Sequence, residues 1–131
     1  MAQQPIELIL LKQWATYIAI PLWIMDEAGN LVFYNEPAES VLGERFDEAG
    51  RINAEDLADK FQTRGIDGEP LESKELPIMV ALTEGHPAHL ALQIRSVDGE
   101  WREIQVSAIP IEGEGGRHLG AFAMFWETSQ P

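Results

Sequence analysis

Residues 89–126 alternate between apolar and polar side chains, and this period of two constrains the fold more than any other feature of the chain. In 89–95 and in 101–109 one face is apolar, which predicts two strands that are buried on one side. In 118–126 both faces are apolar, as in a central strand that is covered on both sides. Asp98-Gly99, between the first two segments, is typical of a tight hairpin turn. The pattern therefore predicts three consecutive antiparallel strands joined by short turns.

A strand, a turn, a second strand and a helix are predicted in that order over residues 20–43. Apolar runs at 22–25 and 31–34 have the length of short strands and flank a turn built on a glycine. Asn35 follows directly and is a good helix N-cap, and Gly43 permits a left-handed end for that helix. We therefore expect a hairpin whose second strand runs straight into a short helix.

Residues 6–18 predict a helix that is apolar on more than one face. Ile6, Leu10 and Trp14 recur at four-residue steps, and Leu11 widens the apolar surface. Such a helix needs two neighbours, its own domain and a partner chain. The alternative, that the helix only covers its own sheet, is equally consistent with the pattern.

The middle of the chain predicts short helices. Residues 54–61 follow a capping asparagine, and residues 77–84 begin with a proline and end at Gly85. Asp67-Gly68, between these two segments, predicts a turn. Two strands, short helices and then three strands together form the pattern of an α+β fold.

Three segments in this order resemble the PAS domain, a small sensory fold of bacterial and eukaryotic signalling proteins. They are residues 20–43, residues 67–85 (DGEPLESKELPIMVALTEG) and residues 97–127 (VDGEWREIQVSAIPIEGEGGRHLGAFAMFWE). The resemblance covers roughly residues 14–128, and Glu127-Thr128 stands near the place of an aspartate-x-threonine triad with which the family often ends. It implies a five-stranded antiparallel sheet of strand order 2-1-5-4-3. It also implies short helices on one face of the sheet, a pocket beneath them, and the N-terminal helix on the other face.

The length of 131 residues is that of one ordinary domain. We divide it into an N-terminal amphipathic helix for capping or dimerisation (1–19), a PAS domain (20–128) and a tail (129–131). No internal repeat or linker interrupts the PAS segment.

The composition excludes several kinds of partner and chemistry. Acidic residues number 22 against 9 basic ones, which gives a formal net charge of −13 and no basic cluster for nucleic-acid phosphates. The same charge argues against docking on an anionic membrane. The chain has no cysteine, which excludes disulfides, thiolate catalysis and the cysteinyl-flavin adduct of blue-light PAS receptors. A lack of cysteine also fits a cytoplasmic location.

The resemblance implies a noncatalytic sensory module of a bacterial signalling protein, such as a two-component system. The module would bind a small apolar or aromatic ligand or cofactor, form a homodimer, and regulate an attached or partner effector. One alternative is a PAS-type dimerisation module with a filled core and no ligand. Another is a small α+β enzyme with a cone-shaped pocket, which needs an ionisable group deep in that pocket. The predicted inward strand positions hold no acid or histidine, so we do not expect an enzyme.

The predicted pocket has mostly apolar walls, which suit an apolar or aromatic ligand, although the same side chains would also serve as ordinary core. The candidate ligand-binding residues are Trp23, Met25, Tyr34, Val41, Phe61, Met79, Leu82, Leu92, Ile94, Ile104, Val106, Phe122 and Met124. The candidate dimer-interface residues are Ile6, Leu10, Leu11, Trp14, Tyr17, Ile18, Leu119 and Phe125.

Histidine is too sparse to predict a metal site. His86 and His89 are three residues apart, but a metal site needs three or four ligands and no third histidine or cysteine lies nearby. Haem-binding PAS domains usually place their axial histidine on the helix before the third strand, and the matching helix at 77–84 has none. Haem and noncovalently bound flavin stay open as cofactors, but no residue indicates either one.

Overall fold

A single antiparallel sheet of six strands organises the fold, in the order β2-β1-β6-β5-β4-β3. The structure is a computed structural model and describes residues 5–53 and 60–128. The strands are β1 (Leu22–Asp26), β2 (Leu31–Tyr34), β3 (Thr63–Gly65), β4 (Ala88–Arg95), β5 (Trp101–Glu112) and β6 (His118–Glu127). The α-helices are α1 (Ile6–Ala15), α2 (Glu36–Leu42), α3 (Phe46–Ala49) and α4 (Pro77–Glu84), with 3-10 turns at Ser73–Glu75 and Glu114–Gly116.

The predicted α+β class and the order of the five predicted strands are confirmed, and one edge strand is added. The additional strand is β3, which pairs with β4 through Thr63, Arg64 and Gly65. A strand of three residues is too short to show alternation, so the sequence pattern did not reveal it. The tail at 129–131 and most of the predicted helix at 54–61 lie outside the described residues.

The predicted helix boundaries follow from local chemistry. The Asn35 side chain accepts a hydrogen bond from the Ala38 N–H and so caps α2, which ends at Gly43 with φ of 85°. Helix α4 begins with Pro77 and ends at Gly85, also left-handed. Among the described residues, no helix is both long and apolar enough to span a membrane.

The sheet buries a different cluster of side chains on each face. The inner cluster lies beneath α2 and α4 and comprises Trp23, Met25, Leu31, Tyr34, Ala38, Val41, Leu42, Ile52, Phe61, Ile78, Ala81, Leu92, Ile94, Ile104, Val106, Ala108, Ala121, Ala123 and Phe125. The outer cluster lies beneath α1 and comprises Leu8, Ala15, Leu22, Ile24, Val32, Ile111 and Leu119. Helix α1 therefore covers the outer face, as the sequence predicted.

A bulge in β6 decides which of its side chains face inward. Ile111 pairs with Gly120 and Glu112 pairs with His118, so Leu119 is an extra residue. An extra residue reverses the alternation and places Leu119 on the outer face. Gly120 sits at the bulge with φ of 148°, where a Cβ would stand 2.1 Å from the Met25 carbonyl oxygen. Only glycine fits this close approach of two strands.

The prediction for the two faces of β6 was wrong at three positions. Phe122 and Met124 were expected to line the pocket, but they pack against the outer cluster. Phe125 was expected at a dimer interface, but it is buried in the inner cluster. Both faces of this strand are apolar, so hydrophobicity alone gave no means of telling inward from outward.

Candidate ligand cavity

A cavity of about 140 Å³ lies between the inner face of the sheet and the segment that leads into α4. Its walls come from five strands (β1, β3, β4, β5 and β6), from the 71–76 segment and from the start of α4. The lining residues are Trp23, Gly29, Phe61, Thr63, Leu71, Leu76, Pro77, Ile78, Met79, Leu92, Ile94, Ile104, Val106 and Phe125. Thirteen residues were predicted to line a pocket, and the structure brings seven of them to this cavity: Trp23, Phe61, Met79, Leu92, Ile94, Ile104 and Val106.

Four other predicted residues lie on the same side of the sheet without lining the cavity. Met25, Tyr34 and Val41 are buried in the inner cluster, and Leu82 packs against it. Residues 29, 63, 71, 76–78 and 125 line the cavity but were not predicted to do so. The apolar residues between the Asp67-Gly68 turn and Pro77 were the one available signal for the 71–76 wall, because leucines at 71 and 76 flank an otherwise polar stretch.

Aromatic rings form one end of the cavity. The Trp23 ring lies 5.6 Å from the Phe125 ring and 6.2 Å from the Phe61 ring, with tilted planes in both cases. Such spacings are favourable for aromatic pairs. Trp23 lies on β1, Phe125 lies on β6, and Phe61 lies two residues before β3. Packing across the sheet therefore holds this end of the cavity in place.

Polar groups at the cavity are few and uncharged. Thr63 carries a hydroxyl, and Trp23 carries an indole N–H that is buried without a hydrogen-bond partner among the described residues. No described lining residue has an ionisable side chain. The described walls therefore suit a neutral apolar molecule.

The size of the cavity limits which cofactors it can hold. A dry apolar cavity of about 150 Å³ is large enough to hold benzene. Haem and the three-ring isoalloxazine of flavin are far larger than one benzene ring. The cavity in this conformation therefore does not fit either cofactor.

The histidines lie away from the cavity. His86 stands in the loop after α4, where its ring bonds to the Glu84 carboxylate and the Pro87 carbonyl. His89 lies on the exposed outer side of β4 and bonds to Gln105 at 2.8 Å. In the described ranges, no three histidine, cysteine or acidic side chains come together to hold a metal ion.

Tyr34 acts as a structural group next to α2. Its hydroxyl donates a hydrogen bond to the Glu44 carbonyl oxygen at 2.9 Å. Burial, reinforced by the negative charge of Glu44, raises the pKa of the Tyr34 hydroxyl above its ordinary value. The hydroxyl therefore remains a protonated donor, and its ring packs edge-on against Phe46 at 5.2 Å.

Asn35 connects the cavity side of the sheet to α1. Its Nδ2 donates to the carbonyl oxygens of Ala15 and Ile20, each at 3.0 Å. Its Oδ1 accepts from the backbone N–H of Leu22 at 3.0 Å and from that of Ala38 at 3.2 Å. One buried amide thus joins the end of α1, the start of β1 and the start of α2.

Comparisons with solved structures agree on the fold, whereas no protein-family model and no curated protein matches the sequence. The PAS domain of a protein from Colwellia psychrerythraea is 15% identical, with TM-score 0.66 over 92% of this chain and 96% of that chain. The PAS domain of nitrogen regulation protein NR(II) from Vibrio parahaemolyticus is 14% identical, with TM-score 0.63 over 91% and 98%. The LOV protein of Rhodobacter sphaeroides is 12% identical, with TM-score 0.72 over 96% and 70%. The chain has a PAS-domain fold.

An exposed apolar stripe runs along α1 and past its end. Ile6, Leu10, Trp14 and Tyr17 were predicted as interface residues and are exposed, Trp14 by 62% and Tyr17 by 84%. Leu11, Ile18 and Leu119 were also predicted there. Instead, Leu119 is buried in the outer cluster, and Leu11 and Ile18 pack against it.

Arg102 links the two longest described strands, β5 and β6, near their ends. Its guanidinium approaches the carboxylates of Glu100 and Glu127 at 3.3 Å, and its Nε donates to the Ser96 hydroxyl at 2.9 Å. The Thr128 N–H donates to the Glu103 carbonyl oxygen at 3.0 Å. The Glu127-Thr128 pair is thus tied to β5 where the described chain ends.

Proposed function

We propose that this PAS domain is a noncatalytic sensory module that binds a small apolar or aromatic ligand in the cavity. The observation that carries the proposal is an apolar cavity with no charged wall among the described residues, formed beside α4 in a fold used by PAS domains of regulatory proteins. A well-formed apolar pocket with a few polar groups is the usual form of a ligand site. The lack of an ionisable side chain among the described lining residues disfavours the alternative of a small enzyme.

The output of the module is a change in how α1 and its partner pack. Trp23 lines the cavity, and its neighbour Leu22 donates a backbone hydrogen bond to the Asn35 side chain. The same side chain donates a hydrogen bond to the Ala15 carbonyl at the end of α1. A ligand that shifts β1 therefore acts on α1 through one buried amide. Ligand binding can shift such an equilibrium only as far as its affinities for the two states differ.

The partner on α1 is a second copy of this chain, so the functional unit is a homodimer. The support is the apolar stripe of Ile6, Leu10, Trp14 and Tyr17, since large exposed apolar surfaces are uncommon on monomers. This stripe also supports the second candidate function, a dimerisation module that senses nothing. Both candidates place the domain in the cytoplasm of a bacterium, where it controls a signalling effector and contacts no nucleic acid or membrane.

Native mass spectrometry before and after organic extraction tests the proposal. An extractable small molecule, together with a rise in melting temperature when a one-ring aromatic compound is added, is the expected result. A ligand at 100 times its Kd stabilises by about 2.7 kcal/mol. An apo mass, together with no melting shift from any such compound, would leave only the dimerisation module.

A further inference from the structure

The indole nitrogen of Trp23 is a buried donor whose acceptor is missing from the described part of the chain. Trp23 is only 8% exposed, and its Nε1 has no hydrogen-bond partner there. Buried N–H groups are paired in the great majority of native structures, so each exception calls for an explanation. A buried tryptophan N–H in particular usually finds an acceptor.

The described neighbours of Trp23 do not supply that acceptor. Its ring contacts are with Phe61 and Phe125, which carry no oxygen or nitrogen in their side chains. Among the described side chains that line the cavity, Thr63 has the one oxygen, and no hydrogen bond joins it to Trp23. The acceptor is therefore expected to arrive with a molecule that occupies the cavity.

The cavity restricts what that molecule is. A volume of about 140 Å³ matches a single aromatic ring with a small substituent. The described walls carry no charge, and an ionised ligand would lose its hydration without gaining a counterion. The ligand must therefore be neutral, mostly apolar and of one-ring size.

We infer that the ligand is a neutral one-ring molecule whose oxygen, a carbonyl or an ether, accepts the Trp23 indole hydrogen bond. This inference rests on the proposed function, because it requires the cavity to be a ligand site. It adds a chemical class and an orientation: the acceptor points to Trp23, and the apolar remainder contacts Leu92, Ile104 and Val106.

A pair of matched probes and a matched pair of variants test the inference. Acetophenone carries a carbonyl oxygen, and α-methylstyrene has the same shape with a methylene group in its place. Trp23→Phe removes the indole N–H and keeps an aromatic ring. Trp126→Phe makes the same change on the exposed outer side of β6 and serves as control. Affinities are measured on the full chain by calorimetry, and melting curves check that each variant is folded.

The expected result is selective for one probe and one variant. Trp23→Phe lowers the affinity for acetophenone by about 3- to 10-fold, which is the range for loss of one neutral hydrogen bond. The same variant changes the affinity for α-methylstyrene by less than about 2-fold. Trp126→Phe changes neither affinity. If Trp23→Phe lowers the affinities for both probes equally, or lowers neither, the acceptor inference is overturned while the ligand site stands. If the wild-type chain binds neither probe, the proposed function at this size fails together with the inference.

The wild-type chain gives an independent readout in case Trp23→Phe does not fold. The ¹⁵N-labelled indole N–H resonance of Trp23 is expected to move downfield with acetophenone and to move less with α-methylstyrene. Trp126→Phe removes one of the other indole signals and so helps the assignment. Equal movement with both probes overturns the inference.

Discussion

Asn35 and Ala15 are joined by a buried hydrogen bond: the Asn35 Nδ2 donates to the Ala15 carbonyl oxygen at 3.0 Å. Ala15 is the last residue of α1, and Asn35 is the N-cap of α2, so one side chain spans twenty residues of sequence. The four C-terminal carbonyl groups of a helix have no partner within it. Asn35 supplies one of those partners and thereby fixes α1 against the sheet.

Asn35→Ala is expected to lower the free energy of unfolding by about 2–4 kcal/mol. It removes the α2 cap, for about 1 kcal/mol, and leaves the buried N–H of Leu22 without its Asn35 acceptor, at about 1–3 kcal/mol and not fully additive, whereas the Ala15 carbonyl keeps its hydrogen bond from the Ile18 N–H. Urea unfolding measures the change. Thr16→Ala, which removes an exposed hydroxyl at the end of α1, is the control and should cost less than about 0.5 kcal/mol.

Asn35→Asp separates the two roles of this amide. The carboxylate keeps the oxygen that caps α2 but cannot donate to Ala15, so hydrogen exchange should quicken in α1 more than in α2. Equal quickening in both helices would contradict the link between Asn35 and α1 in particular.

The cavity predicts that a larger side chain is tolerated on one face of the sheet and not on the other. Ile104→Phe projects into the cavity, and Ile24→Phe places the same extra volume in the fully buried outer cluster. Overpacking a filled core costs about 1–3 kcal/mol. We expect Ile24→Phe to fall in this range and Ile104→Phe to be milder by at least about 1 kcal/mol in urea unfolding. Equal losses would mean that the inner core has no space for a ligand.

The apolar stripe on α1 predicts a concentration-dependent dimer. The double variant Trp14→Ser with Tyr17→Ser removes its two most prominent rings, and interface aromatics of this kind are frequent hot spots worth 2 kcal/mol or more. The Kd of the dimer should therefore rise at least about 30-fold in analytical ultracentrifugation. Ile66→Ser is the control, because Ile66 is equally apolar but follows β3 at the far edge of the sheet. A wild-type monomer at high concentration would contradict the proposed homodimer.

His86 predicts a local pH response. Hydrogen bonds to the Pro87 carbonyl and to the Glu84 carboxylate raise the pKa of the His86 ring above its ordinary value of 6.5. Because the folded pKa is the higher one, the stabilisation is fully present below the unfolded pKa and is lost as pH rises through the folded pKa. Glu84→Gln should lower the His86 pKa in an NMR titration. Glu72→Gln removes a carboxylate that pairs with Lys74 and should leave the pKa unchanged.

Alternation and turn chemistry predicted five of the six strands and the ends of α2 and α4, because those features depend on neighbours in sequence, whereas the strand order was implied by the resemblance to PAS domains. The same pattern predicted the part of the cavity wall on β4 and β5, which consists of Leu92, Ile94, Ile104 and Val106. Two features depend on contacts that a period of two does not encode. The β3 edge is too short to alternate, and the bulge at Leu119 changes the register within a strand that is apolar on both faces.

Gly120 predicts how strongly the fold depends on that bulge. A Cβ at this position would lie 2.1 Å from the Met25 carbonyl oxygen, so Gly120→Ala must push β1 and β6 apart as well as strain the backbone. We expect a loss of about 3 kcal/mol or more in urea unfolding, at the large end of single substitutions. Gly115→Ala is the matched control, since Gly115 also has a positive φ but no atom within 4 Å of its Cβ position, and it should lose only about 1–2 kcal/mol. Because β1 and β6 carry Trp23 and Phe125, Gly120→Ala should also weaken acetophenone binding, whereas Gly115→Ala should not. Equal losses of unfolding free energy from the two alanines would contradict the close approach of β1 and β6. Equal effects of the two alanines on acetophenone affinity would mean that this close approach does not shape the cavity.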